Sequence, residues 1–405
     1  MSEATDLPAN ARLRVLVIAP SAELYGSDRT LLYSLRDLAG MLEVSAIFAM
    51  DGPVVDGVRA LGVDAYVVPD FALRSRNVSA RGFFPWLWRS TRSVSFVVRM
   101  HRREPFDLIF TNTLASWIGG VLSVLLRRPQ LLHVKEYPYQ RSWYPTVLFG
   151  WARMTADVII CNSHYTKSRI IESAPALASR SRVVYNGIEL PVPSRPKTSS
   201  ERLRVACVAR IHPKKGQWVL VEAAVRAKEE GHDWELHFYG DALPEHHYIL
   251  DRLRARVAQT GLDATFHGFV TETVELYLDA DVAVVPSIVP EEFSLVCVEA
   301  QAMQTPVVAT GPGGPSEVLE DGVTGLVVPP DNAEALKDAI ISLEQDPERR
   351  AVMGQAGRLR AKDLFSREVF ARRIAEECEA LIDRNRVPRR DRRPVSNGPG
   401  PLRET

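Results

Sequence analysis

Cysteine is scarce in this chain: Cys161, Cys207, Cys297 and Cys378 are the four in 405 residues. They are scattered, without disulfide or metal-ligand spacing, and each sits among apolar neighbours. Small buried hydrophobes in a reducing compartment are the expectation. Long apolar runs are also missing. The first run, RVLVIAP, is too short and too β-branched for a signal peptide. The uncharged stretch 108–126 is broken up by Thr111, Asn112, Thr113 and the Gly119–Gly120 pair. No spanning helix is read, so a cytoplasmic protein is expected, attached at most to the inner face of the membrane. No G-x-G-x-x-G follows the first strand pattern, which argues against a dinucleotide-dependent oxidoreductase. No acidic cluster has Mg²⁺-ligand character.

Net charge is absent too, but only on balance. Residues 1–190 carry +6, residues 191–383 carry −11, and the last 22 residues carry +5. A basic first half and an acidic second half suggest different tasks, the first half meeting something anionic. Nucleic acid is not expected as a partner.

What is present is a steady alternation. Short β-branched runs at 14–19, 43–49, 65–69, 107–112, 131–136 and 157–163 read as buried strands, and amphipathic patterns such as 29–41 lie between them. Runs at 203–210, 235–240, 264–269, 282–287, 306–310 and 325–329 repeat the theme, with helices at 217–230, 246–260, 295–303 and 333–345. Continuous apolar strands alternating with helices indicate parallel sheets covered on both faces. The fold class is α/β, with two doubly wound, Rossmann-like domains facing a cleft. Residues 1–189 form the first domain, the Pro/Ser-rich stretch 190–203 the linker, and residues 204–383 the second domain. A helix at 370–382 is placed to pack back on the first domain. Residues 384–405, charged and rich in Pro and Gly, read as a disordered tail.

Ligands of doubly wound sheets bind at the carboxyl ends of strands. The loop after 203–210 offers Arg210 and then Lys215–Gly216 at the mouth of a helix, a set suited to a phosphate or diphosphate. A solvated basic loop is the alternative. In PEEFSLVCVEA, Glu291 lies in the turn after a strand and Ser294 is a good N-cap. Glu299 follows inside the helix. Two carboxylates flanking a helix N-terminus suit two polyol parts of one ligand with phosphates between them. The alternative leaves Glu291 solvated and pairs Glu299 with a structural Arg.

These segments resemble the large retaining glycosyltransferase family with the two-domain GT-B fold, bacterial family 4 or glycosyl transferases group 1. The resemblance covers about residues 12–382. It rests on VARIHPKKG, PSIVPEEFSLVCVEAQAMQTPVVAT, GGPSEVLEDGVTGLVVPPD and VVYNGIE, in this order and at these spacings. It implies that Arg210 and Lys215 hold the diphosphate of a nucleotide-sugar donor. Glu291 would face the sugar hydroxyls, and Glu299 the ribose. The backbone around Phe293, Ser294 and Leu295 would contact the sugar and the distal phosphate. Base recognition would fall near HGFV (267–270). The family often has Gly where this chain has Ser294, whose side chain would narrow the sugar pocket.

In the first domain the family often has a Gly-Gly pair before a helix; here Gly26 and Ser27 stand there, feeding backbone donors towards the diphosphate. Many relatives carry a His-Asp pair near the reacting sugar, where this chain has Lys135 and Glu136, with His133 two residues earlier. Glu136 is the first choice to receive the acceptor proton. His133 is read either as a catalyst or as an ordinary strand histidine, and Asn112 as a cleft-lining hydrogen-bonder. The implied reaction moves a sugar from a nucleoside-diphosphate donor to a hydroxyl of a glycan or lipid-linked acceptor, with no cofactor and no metal. A nucleotide-sugar 2-epimerase and a non-catalytic nucleotide-sugar-binding protein are the alternatives.

One segment stands outside that scheme. Residues 71–103 hold eight arginines and no acid, with Phe83, Phe84, Trp86 and Trp88 in one cluster. Such a mixture suits an anionic membrane interface. Alternatively, the aromatics are core and the arginines a solvated rim.

Overall fold

The structure, a computed structural model, describes residues 12–23, 26–69, 71–72, 80–138, 144–192, 197, 200–270 and 274–386. Chain order in the first half is β1 (Arg14–Ala19), α1 (Gly26–Met41), β2 (Glu43–Phe48), α2 (Pro53–Ala60), β3 (Asp64–Val67) and α3 (Ala80–Arg103). Then come β4 (Leu108–Asn112), α4 (Ile118–Leu126), β5 (Gln130–Val134), α5 (Tyr144–Thr155), β6 (Val158–Cys161), α6 (His164–Ser173) and β7 (Ser181–Val183). These strands form one parallel sheet in the order β3-β2-β1-β4-β5-β6-β7.

The second half runs β8 (Arg204–Val208), α7 (Gln217–Glu229), β9 (Glu235–Tyr239), α8 (His247–Thr260), β10 (Asp263–Gly268) and β11 (Val282–Val285). It continues with α9 (Leu295–Ala302), β12 (Val307–Thr310), α10 (Gly314–Val318), β13 (Gly325–Val328), α11 (Ala333–Glu344), α12 (Pro347–Phe365) and α13 (Arg367–Arg386). Its sheet, also parallel, has the order β10-β9-β8-β11-β12-β13. Both orders reverse direction at their first strand, β1 or β8, which opens a crevice at the carboxyl edge of each sheet.

Burial on both faces explains why the strands are so apolar: every residue of β4, β5, β6, β11 and β12 is buried. On one face of the first sheet Val15, Val17 and Phe110 pack with Leu35 of α1 and with Phe370, Ile374, Cys378 and Leu381 of α13. The last helix therefore crosses back over the first domain. The opposite face is covered by α3 and α4 through Val97, Ile118 and Leu122, and by α5 through Phe149 and Ala152. All four thiols are free and buried, and burial pushes each up to about 12.

The chain crosses between the domains twice, and the two crossings touch. Ile188 N donates to Phe365 O (2.9 Å), and Arg367 N donates to Ile188 O (2.8 Å). In the linker stretch, Lys197 Nζ donates to Ala280 O (2.9 Å) and Thr305 Oγ1 (2.6 Å), tying the segment to the second domain; burial lowers its pKa to about 8.

Three local expectations need correction. The sequence reading carries β5 through Glu136, but the strand ends at Val134, so Lys135 and Glu136 lie in the loop at its carboxyl edge. It omits β7, whose three residues Ser-Arg-Val offer little apolar signal on an edge strand. It starts the tail at residue 384, whereas α13 continues to Arg386; residues 387–405 fall outside the described residues.

Candidate active site

The carboxyl edges of the two sheets face each other, and the loops that leave them build the site. After β8 the chain makes a short turn over Pro213–Lys215, with the His212 side chain accepting from Lys214 N. Gly216 then enters α7 at φ +67°. Two bonds fix this loop: Gln217 Nε2 donates to Arg210 O (2.9 Å), and Ile288 N donates to Lys214 O (3.0 Å). The second joins it to the loop after β11.

That second loop carries Glu291, and its carboxylate is held from two sides. Lys215 Nζ donates to Oε1 at 2.8 Å, and the Ser287 hydroxyl donates to the same oxygen. Behind it, Gly314 N donates to Glu291 O (2.6 Å) and Thr310 Oγ1 donates to Ser287 O (2.6 Å). Gly314 has to be glycine, because a Cβ there would stand 2.4 Å from Phe293 Cα. Ser294 caps α9, its Oγ accepting from Cys297 N (3.4 Å). A cation and a carboxylate thus meet between the N-termini of α7 and α9, where free N–H groups and the helix dipoles favour anionic oxygen.

The remaining expected residues fall into three groups. Arg210 is at the rim, exposed and, among the described residues, without an ion-pair partner. Glu299 is half-buried on α9; burial first and then its charge raise the Tyr277 hydroxyl well above the usual range. Phe293 turns its ring towards Tyr185 (6.1 Å) and Phe365 (5.9 Å), leaving backbone rather than ring at the site. Leu295 is the first residue of α9. Gly26 and Ser27 open α1 at the carboxyl edge of β1.

On the first-domain side, Glu136 is exposed, and it lies close enough to Glu292 to help raise that carboxyl. Lys135 beside it is buried, its carbonyl accepting from Asn162 Nδ2 (2.9 Å). Asn112 is also buried, with neither side-chain amide atom hydrogen-bonded. Thr113 next to it holds φ +75°, a strained value for a β-branched residue.

His133 does not belong with them. Its ring is 1% exposed, packed between Phe110 (6.2 Å) and Phe370 (5.7 Å). Burial, then Lys135, lowers its pKa well below the usual imidazole range, so the ring is neutral. The catalyst reading of His133 is withdrawn: residues 131 and 133 share a strand face, and here α13 covers that face.

Two glutamates that the sequence reading passed over join the domains. Glu292 Oε1 accepts from Tyr137 N at 3.3 Å, and burial, then Glu136 and Glu291, raises its carboxyl above the ordinary range. Glu317, from α10, accepts from His164 N (2.7 Å) and Tyr165 N (2.5 Å), so a second-domain carboxylate caps α6 of the first domain. Replacing Glu317 by Ala should loosen closure: we expect a larger radius of gyration in small-angle scattering. An unchanged radius would show that the contact does not hold the cleft.

Two doubly wound domains closed on one cleft define the GT-B class of fold. The family pattern described as glycosyl transferases group 1 matches residues 193–360, and that of Glycosyltransferase Family 4 matches residues 47–191. Among curated relatives, the D-inositol 3-phosphate glycosyltransferase of Arthrobacter sp. (strain FB24) is 32% identical over 337 residues, 73% of this chain and 77% of the relative. The lipopolysaccharide core biosynthesis mannosyltransferase LpcC of Rhizobium leguminosarum is 26% identical over 74% of this chain and 84% of its own. Among solved structures, Anabaena HepE in complex with UDP superposes with a TM-score of 0.77 at 23% identity, covering 91% of this chain and 100% of that one. The chain belongs to the glycosyl transferases group 1 family and is a glycosyltransferase. The epimerase and binding-protein alternatives fall away.

Proposed function

We propose that this enzyme moves a sugar, with retention at the anomeric carbon, from a nucleoside-diphosphate sugar to a hydroxyl of a glycan or lipid-linked acceptor. The observation that carries the reading is the Lys215–Glu291 pair, 2.8 Å apart between two helix N-termini at the cleft. Lys215 and Arg210 take the diphosphate, where charge develops as the bond to the sugar breaks, and the helix ends add fixed positive potential. Glu291 turns to the sugar hydroxyls and Glu299 to the ribose. The backbone from Phe293 to Leu295 lies along the sugar and distal phosphate, and the start of α1 at Gly26 and Ser27 closes over the diphosphate. Glu136 receives the acceptor proton. No step calls on a metal. Closure through Glu292 and Glu317 keeps water from the donor.

The UDP held by HepE supports trying uridine donors first, and the lipopolysaccharide role of LpcC supports a membrane-linked glycan as acceptor.

The test is release of nucleoside diphosphate from a panel of nucleoside-diphosphate sugars, before and after adding a total membrane glycolipid extract. Release that requires the extract, with radiolabelled sugar appearing in the extract, supports transfer. Equal release without it contradicts an acceptor-dependent reaction.

A further inference from the structure

We propose that the outer face of α3, α4 and α5 docks on an anionic phospholipid bilayer, with the groove between α3 and β3 taking a lipid headgroup. The three helices pack side by side on one face of the first sheet and hold no acidic residue among them. The two acids that follow α3 are already committed: Glu104 pairs with Arg14, and Asp107 Oδ2 accepts from Arg14 N.

The aromatic cluster divides in two. Trp86 is 6% exposed, and its Nε1 donates to Phe71 O (3.2 Å), the oxygen that also receives Trp117 Nε1 (3.1 Å). That indole pair anchors α3 to the domain. Phe84 and Trp88 point the other way, 72% and 66% exposed. Arg92 and Arg99 continue their stripe along the helix, both exposed and, among the described residues, unpaired with any acid. On the neighbouring helices Val124, Leu125, Val147 and Met154 are exposed, with Arg127 and Arg153 among them. At the edge strand, a groove of about 470 Å³ is lined by Val67, Pro69, Trp88, Phe96, Arg92 and Arg99. Its apolar wall and two guanidinium groups match an acyl chain beneath a phosphate. A second copy would set like charges against each other, which favours lipid as the occupant. No helix among the described residues is long and apolar enough to cross a membrane, so the contact is peripheral.

Docking itself is independent of the proposed chemistry; only its purpose, bringing the cleft to a membrane-linked acceptor, rests on the transferase reading. The full chain would be sedimented with vesicles of phosphatidylcholine alone and of phosphatidylcholine with phosphatidylglycerol. We expect binding to the anionic vesicles only, weakened by salt. Charge reversal in Arg92→Glu/Arg99→Glu changes the charge by four units, so at roughly 1 kcal/mol per unit charge it should cut binding by about a thousandfold. Phe84→Ala/Trp88→Ala should weaken it about tenfold. Both double variants should keep the wild-type circular dichroism spectrum and nucleotide binding, and Arg210→Ala should bind vesicles normally. Absence of binding to anionic vesicles overturns the proposal, as does binding that ignores the charge reversal. A dimer in sedimentation velocity that the charge reversal splits, without vesicle binding, assigns the face to a second copy instead and overturns it too.

Discussion

Lys215→Ala should lower kcat/KM by about 10²–10³-fold, through both weaker donor binding and slower turnover, as removal of a preorganised charge at a developing anion does. Stability complicates the reading, because Lys215 also holds Glu291 at 2.8 Å and its loss leaves that carboxylate with Ser287 alone at its side chain. Glu291→Gln in the same chain separates the two effects. The double variant Lys215→Ala/Glu291→Gln should recover thermal stability lost in the single one, since no unpaired charge remains, yet stay as slow as Lys215→Ala or slower. Recovery of turnover together with stability would reduce Lys215 to a structural partner of Glu291.

Gly216→Ala should destabilise the second domain by about 3 kcal/mol or more, on the order of a 10 °C drop in its melting temperature. Two costs combine. The residue sits at φ +67°, in the left-handed region, and a Cβ there would stand 1.8 Å from Pro286 O. The second is the larger, because a backbone carbonyl cannot swing aside as a side chain can. The loop displaced by it is the one that carries Glu291, so donor binding should fall as well. Gly231 is the control: its φ is +92°, but nothing lies within 4 Å of a Cβ there. Gly231→Ala should cost only the conformational part, about 1 kcal/mol. Equal melting temperatures for the two variants would contradict the close approach at Pro286.

The fold was legible because its central strands are buried on both faces. Runs such as VIIC and VAVV have no polar side to blur them, and amphipathic helices lie between the strands. The placement of Arg210, Lys215, Glu291 and Ser294 was legible for a related reason: they lie in short loops directly after strands, so sequence order predicts spatial order. The first-domain side was harder. Choosing between His133 and Glu136 needs to know that β5 ends at Val134, leaving Glu136 in the exposed loop, and that α13, more than two hundred residues away in the chain, packs over His133. The closure contacts were not legible at all. Glu292 and Glu317 bond backbone N–H groups separated from them by 155 and 153 residues, and a backbone donor leaves no side-chain signature. In α3, the arginine and aromatic content was plain in the sequence, but only the helix's orientation separates buried Trp86 from exposed Trp88.

The central claim is that the cleft beside Lys215 and Glu291 is a nucleotide-sugar donor site. A thermal-shift panel of nucleoside diphosphates and their sugars on the purified full chain tests it most directly. A rise in melting temperature with one base, abolished in Arg210→Ala, is the predicted result. No shift with any of them, or a shift that Arg210→Ala leaves intact, would contradict it.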